Sequence, residues 1–297
     1  MQFDAQCIEC LIRRQAQRAD AQHDPERSYR YLRDVMQLIL DAPPGVAAPY
    51  LTPLFDDAFH RYWPGTDPYA ELKRQSNGHM LARLPEMRAM ADAADDPLLM
   101  ALKLAQTGNY IDYGALAGGV SREVLDRMMA ETPERPVDPA EYAQFTEDLS
   151  RAQRLLYIGD NAGEIVADLV LTEQILARYP SLAVTFAVRG GPALNDATRE
   201  DAAAVGLDRL VPIVDNGSRI SGTELPCLGA EMRRALEEAD VVLSKGQANF
   251  ETLASSGLNI YYIFLCKCRR FTRLFDVPLL TGMFVNERRL QIASPYC

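Results

Sequence analysis

The sequence predicts an α/β fold in which an all-helical amino-terminal domain, residues 1–150, precedes an α/β/α domain, residues 151–297, with a mainly parallel sheet. Two observations carry this. As far as about residue 150 there is almost no alternating β pattern, and apolar residues recur at helical spacing, as in Ile8, Leu11, Ile12 and again Tyr31, Val35, Leu38, Ile39. From Arg154 onward short β-rich runs alternate with helical segments, the signature of a parallel sheet covered on both faces.

In the helical half, Pro43, Pro44 and Pro49 punctuate the chain after the second helix, and Pro64, Gly65 and Pro68 mark another turn. Pro133, Pro136 and Pro139 break the pattern before a short helix containing Tyr142, Phe145 and Leu149, which places the domain boundary there. Strands are expected at 155–159, 183–188, 210–214, 240–244 and 260–265. Helices are expected at 163–178, 198–205, 224–238 and about 249–256. Right-handed crossovers would join them into a Rossmann-like three-layer arrangement.

Composition narrows the function. Of 297 residues 48% are apolar, enough for a sizeable core, and a net charge of −10 argues against nonspecific nucleic-acid binding, which needs a basic surface. No apolar stretch approaches the roughly 20 residues that span a bilayer, and Met1-Gln2-Phe3-Asp4 lacks the basic and apolar regions of a signal peptide. A cytoplasmic enzyme without membrane or nucleic-acid partners is expected. Six cysteines include a CxxC, Cys7 and Cys10, and a CxC, Cys266 and Cys268, with Cys227 and Cys297 alone. The two pairs would form a metal or redox site if the termini meet; otherwise they are ordinary buried thiols.

Four strand ends are polar beyond what a structural loop requires: Gly159-Asp160-Asn161-Ala162-Gly163-Glu164, Arg189 through Thr198, Asp215 through Ser218, and Ser244 through Glu251. In a parallel sheet all emerge on one rim, where open α/β sheets bind ligands. Asp160, Asn161 and Asp196 together would make an oxygen site for magnesium or manganese. Each acid also precedes a helix, so capping is the alternative for both, and for Asp196 taken alone a cap or an Asx turn is the plainer role. Arg189 and Lys245 supply cations for a phosphoryl group, and Gly190, Gly191 and Gly246 permit close approach of backbone donors; a solvated strand-end lysine is the bland alternative. Glu164 either favours the helix dipole or positions a water. In the helical half, Asn109 and Asp112 of Gly108-Asn109-Tyr110-Ile111-Asp112-Tyr113-Gly114 would reach the rim if that half overhangs it. Neither GxxxxGK[ST] nor GxGxxG occurs, and His23, His60 and His79 show no paired spacing.

These four stretches, 108–114, 159–164, 189–198 and 244–252, occur in the order and over the extent that resembles the DUF89, or damage-control phosphatase (ARMT1-like), family, and Cys7-Ile8-Glu9-Cys10 resembles its prokaryotic, CxxC-containing branch. The resemblance implies a metal-dependent phosphatase of small phosphorylated metabolites, such as damaged or surplus sugar phosphates, supported by manganese, cobalt, nickel or magnesium. It places metal ligands on Asp160, Asn161 and Asp196, the phosphate-binding lysine on Lys245, and substrate contacts on Asn109, Asp112, Arg189, Gly190 and Asn195. The run Leu265-Cys266-Lys267-Cys268-Arg269 departs from the branch, whose strand closes in a single Lys-Cys step. By this reading Asp160, Asn161, Asp196 and Lys245 do the chemistry, with a metal-activated water attacking phosphorus in line. Two rivals are an S-adenosylmethionine-dependent methyltransferase, which also begins strand, Gly-Asp loop, helix, and a non-catalytic sugar-phosphate binding protein.

Overall fold

A computed structural model of the chain describes residues 1–112 and 121–290. Seven helices come first: α1 (Ala5–Asp20), α2 (Pro25–Leu40), α3 (Thr52–Tyr62), α4 (Pro68–Asp92), α5 (Pro97–Gly108), α6 (Arg122–Ala130) and α7 (Pro139–Arg151). Four of them start on an Asp-Pro step. Asp24, Asp67, Asp96 and Asp138 turn their carboxylates onto N–H groups of the first turn, while the proline that follows has no N–H to leave unpaired. Among the described residues, no helix is long and apolar enough to cross a membrane.

The second half runs β1 (Arg154–Ile158), α8 (Glu164–Arg178), β2 (Ala183–Val188), α9 (Arg199–Val205), β3 (Ile213–Asp215), α10 (Ala230–Glu238), β4 (Val241–Lys245), α11 (Gln247–Leu253), β5 (Ile260–Leu265), α12 (Arg269–Phe275) and β6 (Gly282–Asn286). The sheet order is β3-β2-β1-β4-β5-β6, parallel except for β6 against β5. Strand side chains alternate between two cores. Leu155, Tyr157, Phe186 and Leu243 pack with α4, α5, α7 and α8, whereas Leu156, Ile158, Val242 and Phe264 pack with α10, α11 and α12. Each such fully buried side chain contributes about 1.5–3 kcal/mol.

The helices before β1 divide between cores as well. Those of α1, α2 and α3 enclose their own cluster of Tyr31, Val35, Phe55, Phe59 and Trp63, but Met80, Met87, Leu102, Met129 and Phe145 from α4 to α7 belong to the cluster that covers the sheet. That packing lays α4 and the end of α5 across the rim.

Four elements differ from the sequence reading, which has no counterpart to helix α12. Strand β6 has none either, being a short edge strand. Strand β3 starts only at Ile213, because Pro212 cannot donate to the ladder and instead its carbonyl accepts from Phe186 N at 2.9 Å. The helix expected from 224 begins at Ala230, since Pro226 sits in a single 3-10 turn, Leu225–Cys227, and Gly229 holds extended backbone before the helix.

Candidate active site

The sheet changes direction between β1 and β4, so the crevice lies at the carboxyl ends of those two strands. Backbone bonds close the loops after β1 and β2 onto each other. Ala197 N donates to the Asp160 carbonyl at 2.8 Å, Ala162 N donates to the Asn195 carbonyl at 2.9 Å, and Asn161 and Asp196 form an antiparallel bridge. Asp160, Asn161 and Asp196 are therefore brought to one place from two loops, all buried.

Just beyond β4, Gly246 adopts φ +85°, and a Cβ there would collide with the Asp160 carboxylate. Only glycine fits. Gly246→Ala should cost about 1–3 kcal/mol in backbone strain and displace Asp160, so both the urea midpoint and turnover should fall; an unchanged midpoint would contradict the close approach.

Carboxylates crowd this crevice. Asn109, at the C-cap of α5, donates its Nδ2 to Asp160 Oδ2 at 3.2 Å and to Glu164 Oε1 and Oε2 at 3.0 and 3.1 Å, while its Oδ1 accepts from Leu265 N at 3.0 Å. Asn161 Nδ2 bonds Asp160 Oδ2 at 2.8 Å and Glu164 Oε2 at 3.0 Å. Arg189 joins the two acids: its Nε lies 2.6 Å from Asp196 Oδ2 and one terminal nitrogen 3.5 Å from Asp160 Oδ1. Ser221 Oγ also donates to Asp196, at 3.0 and 3.1 Å.

Burial, then the neighbouring Glu164 and Asp196, push the Asp160 carboxyl well above its ordinary range. Burial raises Asp196 too, against the pull of Arg189. Asp168 is pushed up to about 6 by burial, with Lys245 opposing. Among the described residues, Arg189 pairs with Asp160 and Asp196, Lys245 with Glu164 and Asp168, and Lys267 with Asp112. By formal charge these five acids outnumber these three cations, a deficit of two.

A hard divalent cation suits this deficit and the oxygen donors of Asp160, Asn161 and Asp196. Asn161 Oδ1 accepts no hydrogen bond among the described residues. No group of three or more His, Cys, Asp or Glu able to hold a metal occurs among them either, so the amide would have to complete the ligand set.

The sequence reading turns Lys245 toward a phosphate; the structure instead sets its ammonium 2.6 Å from Glu164 Oε1 and 2.7 Å from Asp168 Oδ1, with the side chain fully buried. The reason is charge compensation. Burial alone would lower the Lys245 pKa, but Asp168 and Glu164 outweigh it and hold the lysine charged. Gly190 is likewise redirected: its N–H goes to Asn216 Oδ1 at 2.9 Å and to the Ser218 carbonyl at 3.0 Å, so the loop spends the donor on itself. Asn195 donates to the Ile111 carbonyl at 3.2 Å and keeps a buried Oδ1 that has no partner among the described residues. Asp112 reaches the rim and accepts from Lys267 Nζ at 2.7 Å. Tyr113 and Gly114 of the same stretch lie outside the described residues.

Lys267, Asp168 and Tyr157 are additions to the sequence reading. Tyr157 donates to Asp168 Oδ1 at 2.6 Å, which completes the pocket around Lys245. Lys267 stands two residues beyond the end of β5, as Asp160 stands two beyond the end of β1, and that position is the signal that could have found it.

The cysteines make no metal centre among the described residues. The ends of the chain nevertheless approach: Arg270, in α12, donates to Cys7 Sγ at 3.3 Å, and Gln247 to Cys268 Sγ at 3.6 Å. All five described cysteines are free, and Cys297 lies outside the described residues. Burial pushes the Cys7 and Cys266 thiols up to about 12, which keeps them protonated. Beside them, burial raises Glu251 to about 7 against Arg270, the N-terminus and Arg14. Because the folded pKa exceeds the ordinary 4.5, the protonated acid favours the fold below about 4.5, and that contribution is lost as pH rises through about 7. Glu251→Gln should thus flatten this loss, by on the order of 3 kcal/mol at pH 8. Urea midpoints of both proteins measured from pH 5 to 8 check this; parallel curves would refute it.

A buried acidic cluster with one bridging arginine thus lies at the switch point of a parallel sheet, where open α/β sheets bind ligands. The damage-control phosphatase ARMT1-like domain matches residues 3–280. The chain is 33% identical over 225 residues to a damage-control phosphatase of Archaeoglobus fulgidus, covering 74% of this chain and 75% of that protein. It is 32% identical over 277 residues to an uncharacterized protein of Methanocaldococcus jannaschii, covering 89% and 88%. The crystal structure of a DUF89 family protein from Pyrococcus horikoshii superposes with a TM-score of 0.82 at 26% identity, over 97% of this chain and 99% of that one. The chain belongs to the ARMT1-like damage-control phosphatase family.

Proposed function

We propose that the protein is a divalent-metal-dependent phosphatase that hydrolyses phosphoric monoesters of small metabolites, sugar phosphates or related damaged metabolites among them. The observation that carries this reading is the bridging arginine. Arg189 is buried, it touches both Asp160 and Asp196, and its Nη1 has no hydrogen-bond partner among the described residues, while the residue lines a cavity of about 640 Å³. A buried donor left unpaired costs about 1–3 kcal/mol, and a phosphoryl oxygen relieves that cost.

Asp160, Asn161 and Asp196 would hold a manganese, cobalt, nickel or magnesium ion, which would supply Lewis acidity and lower the pKa of a water. The protein's own groups do the positioning. Arg189 Nη1 donates to the phosphoryl group and stabilises charge on its equatorial oxygens. Asp112, partly exposed and held by Lys267, orients the attacking water. Lys245 is a positioning residue: its ammonium pairs with Glu164, and Glu164 fixes the amides of Asn109 and Asn161.

Assay of p-nitrophenyl phosphate and a sugar-phosphate panel, first with manganese and then with chelator, tests this. Release of phosphate that stops with chelator is expected. Binding of sugar phosphates without release would make the protein a sensor, and calorimetric binding of S-adenosylmethionine would revive the methyltransferase reading.

A further inference from the structure

A second cavity, of about 610 Å³, opens between α1, α3 and the start of α4, and its wall includes Leu194. Leu194 adopts φ +50°, a left-handed conformation that a leucine rarely takes. Leu194 lines both cavities, and Asn195 and Asp196 follow it directly in the chain. Tyr69 also lines both, and it feels the charges of Arg14 and of Asp112 at the rim. The two cavities share Asp67, Tyr69 and Leu194 in their linings, so they adjoin beside the loop that carries Asp196.

Two arginines of α1 line it, and they differ. Arg18 already has a counter-charge: it bonds Asp56 at 2.6 Å and lies 3.8 Å over the Phe59 ring, with its Nε left without a hydrogen-bond partner among the described residues. Arg14 makes no salt bridge or hydrogen bond among the described residues, though it is partly buried in the cavity wall. The other acid in this wall, Asp67, is engaged by Tyr69 N and Ala70 N at the start of α4. An arginine with its planar fork unfilled, over a floor of Phe55, Leu72 and Leu194, matches the end of an organic anion.

We infer that Arg14 is a specificity-determining residue, which binds a second anionic group, phosphate or carboxylate, at the far end of the phosphorylated metabolite whose phosphoryl group sits beside Arg189. The inference rests on the phosphatase reading above. It selects substrates with two anionic ends over those with one.

Calorimetry and kinetics on the full chain with manganese test it. One pair of probes is a hexose 1,6-bisphosphate against the hexose 1-phosphate, and a second is 6-phosphogluconate against glucose 6-phosphate, so the two sources of charge are distinguished. Wild type should bind at least one doubly anionic probe about tenfold or more tighter than its partner. Arg14→Gln should erase that preference, lowering affinity and kcat/KM for the preferred probe by about tenfold to a hundredfold, with less than about a twofold change for the singly anionic one; Arg14→Lys should restore part of it. Wild type that binds both members of each pair alike, or neither, overturns the inference, as does an Arg14→Gln loss that is equal for both. If no ester is hydrolysed but the Arg14-dependent preference in binding persists, the phosphatase reading fails and the anion site stands.

Discussion

Replacing Asp160 with Asn will lower metal-dependent phosphate release by about a thousandfold, the upper end of what one charge-stabilising group contributes, and will leave the protein at least as stable as wild type. The two halves of this expectation have one cause. Asp160 is a buried carboxylate beside Glu164 and Asp196, with Arg189 reaching it only at 3.5 Å, so its charge is held against repulsion. Asparagine keeps the shape and removes the repulsion, at the expense of a ligand. Phosphate release and the urea midpoint measured on the same preparation check both. A midpoint that falls together with activity would make Asp160 a structural residue.

The second large effect is on stability. Lys245→Met will destabilise the fold by about 3–5 kcal/mol, the cost of leaving a buried partner charge unpaired. Here two partners are orphaned, Glu164 and Asp168, and Tyr157 loses the arrangement that its hydroxyl completes. Adding Glu164→Gln and Asp168→Asn should return most of that stability, because the remaining groups are neutral, but not turnover, because Glu164 no longer fixes Asn109 and Asn161 as a carboxylate. Equilibrium denaturation of the single and triple variants measures the coupling. A single-variant loss below about 1 kcal/mol would show that the ion pair is not what holds the crevice.

Much of this site is legible in the sequence because a parallel sheet puts every strand end on one rim. Apolar runs mark β1, β2, β4 and β5 to within about a residue, and the polar residues that follow them are the ones that meet: Asp160 and Asn161 after β1, Arg189 and Asp196 after β2, Gly246 after β4. What sequence patterns do not reveal is pairing between distant groups. Asp168 reads as a helix charge one turn beyond Glu164, and only the fold shows that Lys245, on a strand 77 positions away, neutralises it. Lys245 misleads for the same reason, since a lysine after an apolar strand reads as a cation for a ligand until the acids beneath it are seen. Strand β6 hides because Gly282-Met283-Phe284-Val285-Asn286 is short and lies at an edge, where burial alternates weakly. The overhang of α4 and α5 is foreshadowed by Asn109 and Asp112, yet Asn77, which accepts from Gly163 N at 2.6 Å and bonds Asp201, has no local signal.

The central claim is that Asp160, Asn161 and Asp196 share one divalent cation beside Arg189. Crystals grown with manganese and measured at a wavelength where it scatters anomalously test it most directly. The structure predicts a single strong peak bonded to oxygens of all three side chains and absent from Asp160→Asn crystals; a peak elsewhere, or none while manganese still supports turnover, would contradict it.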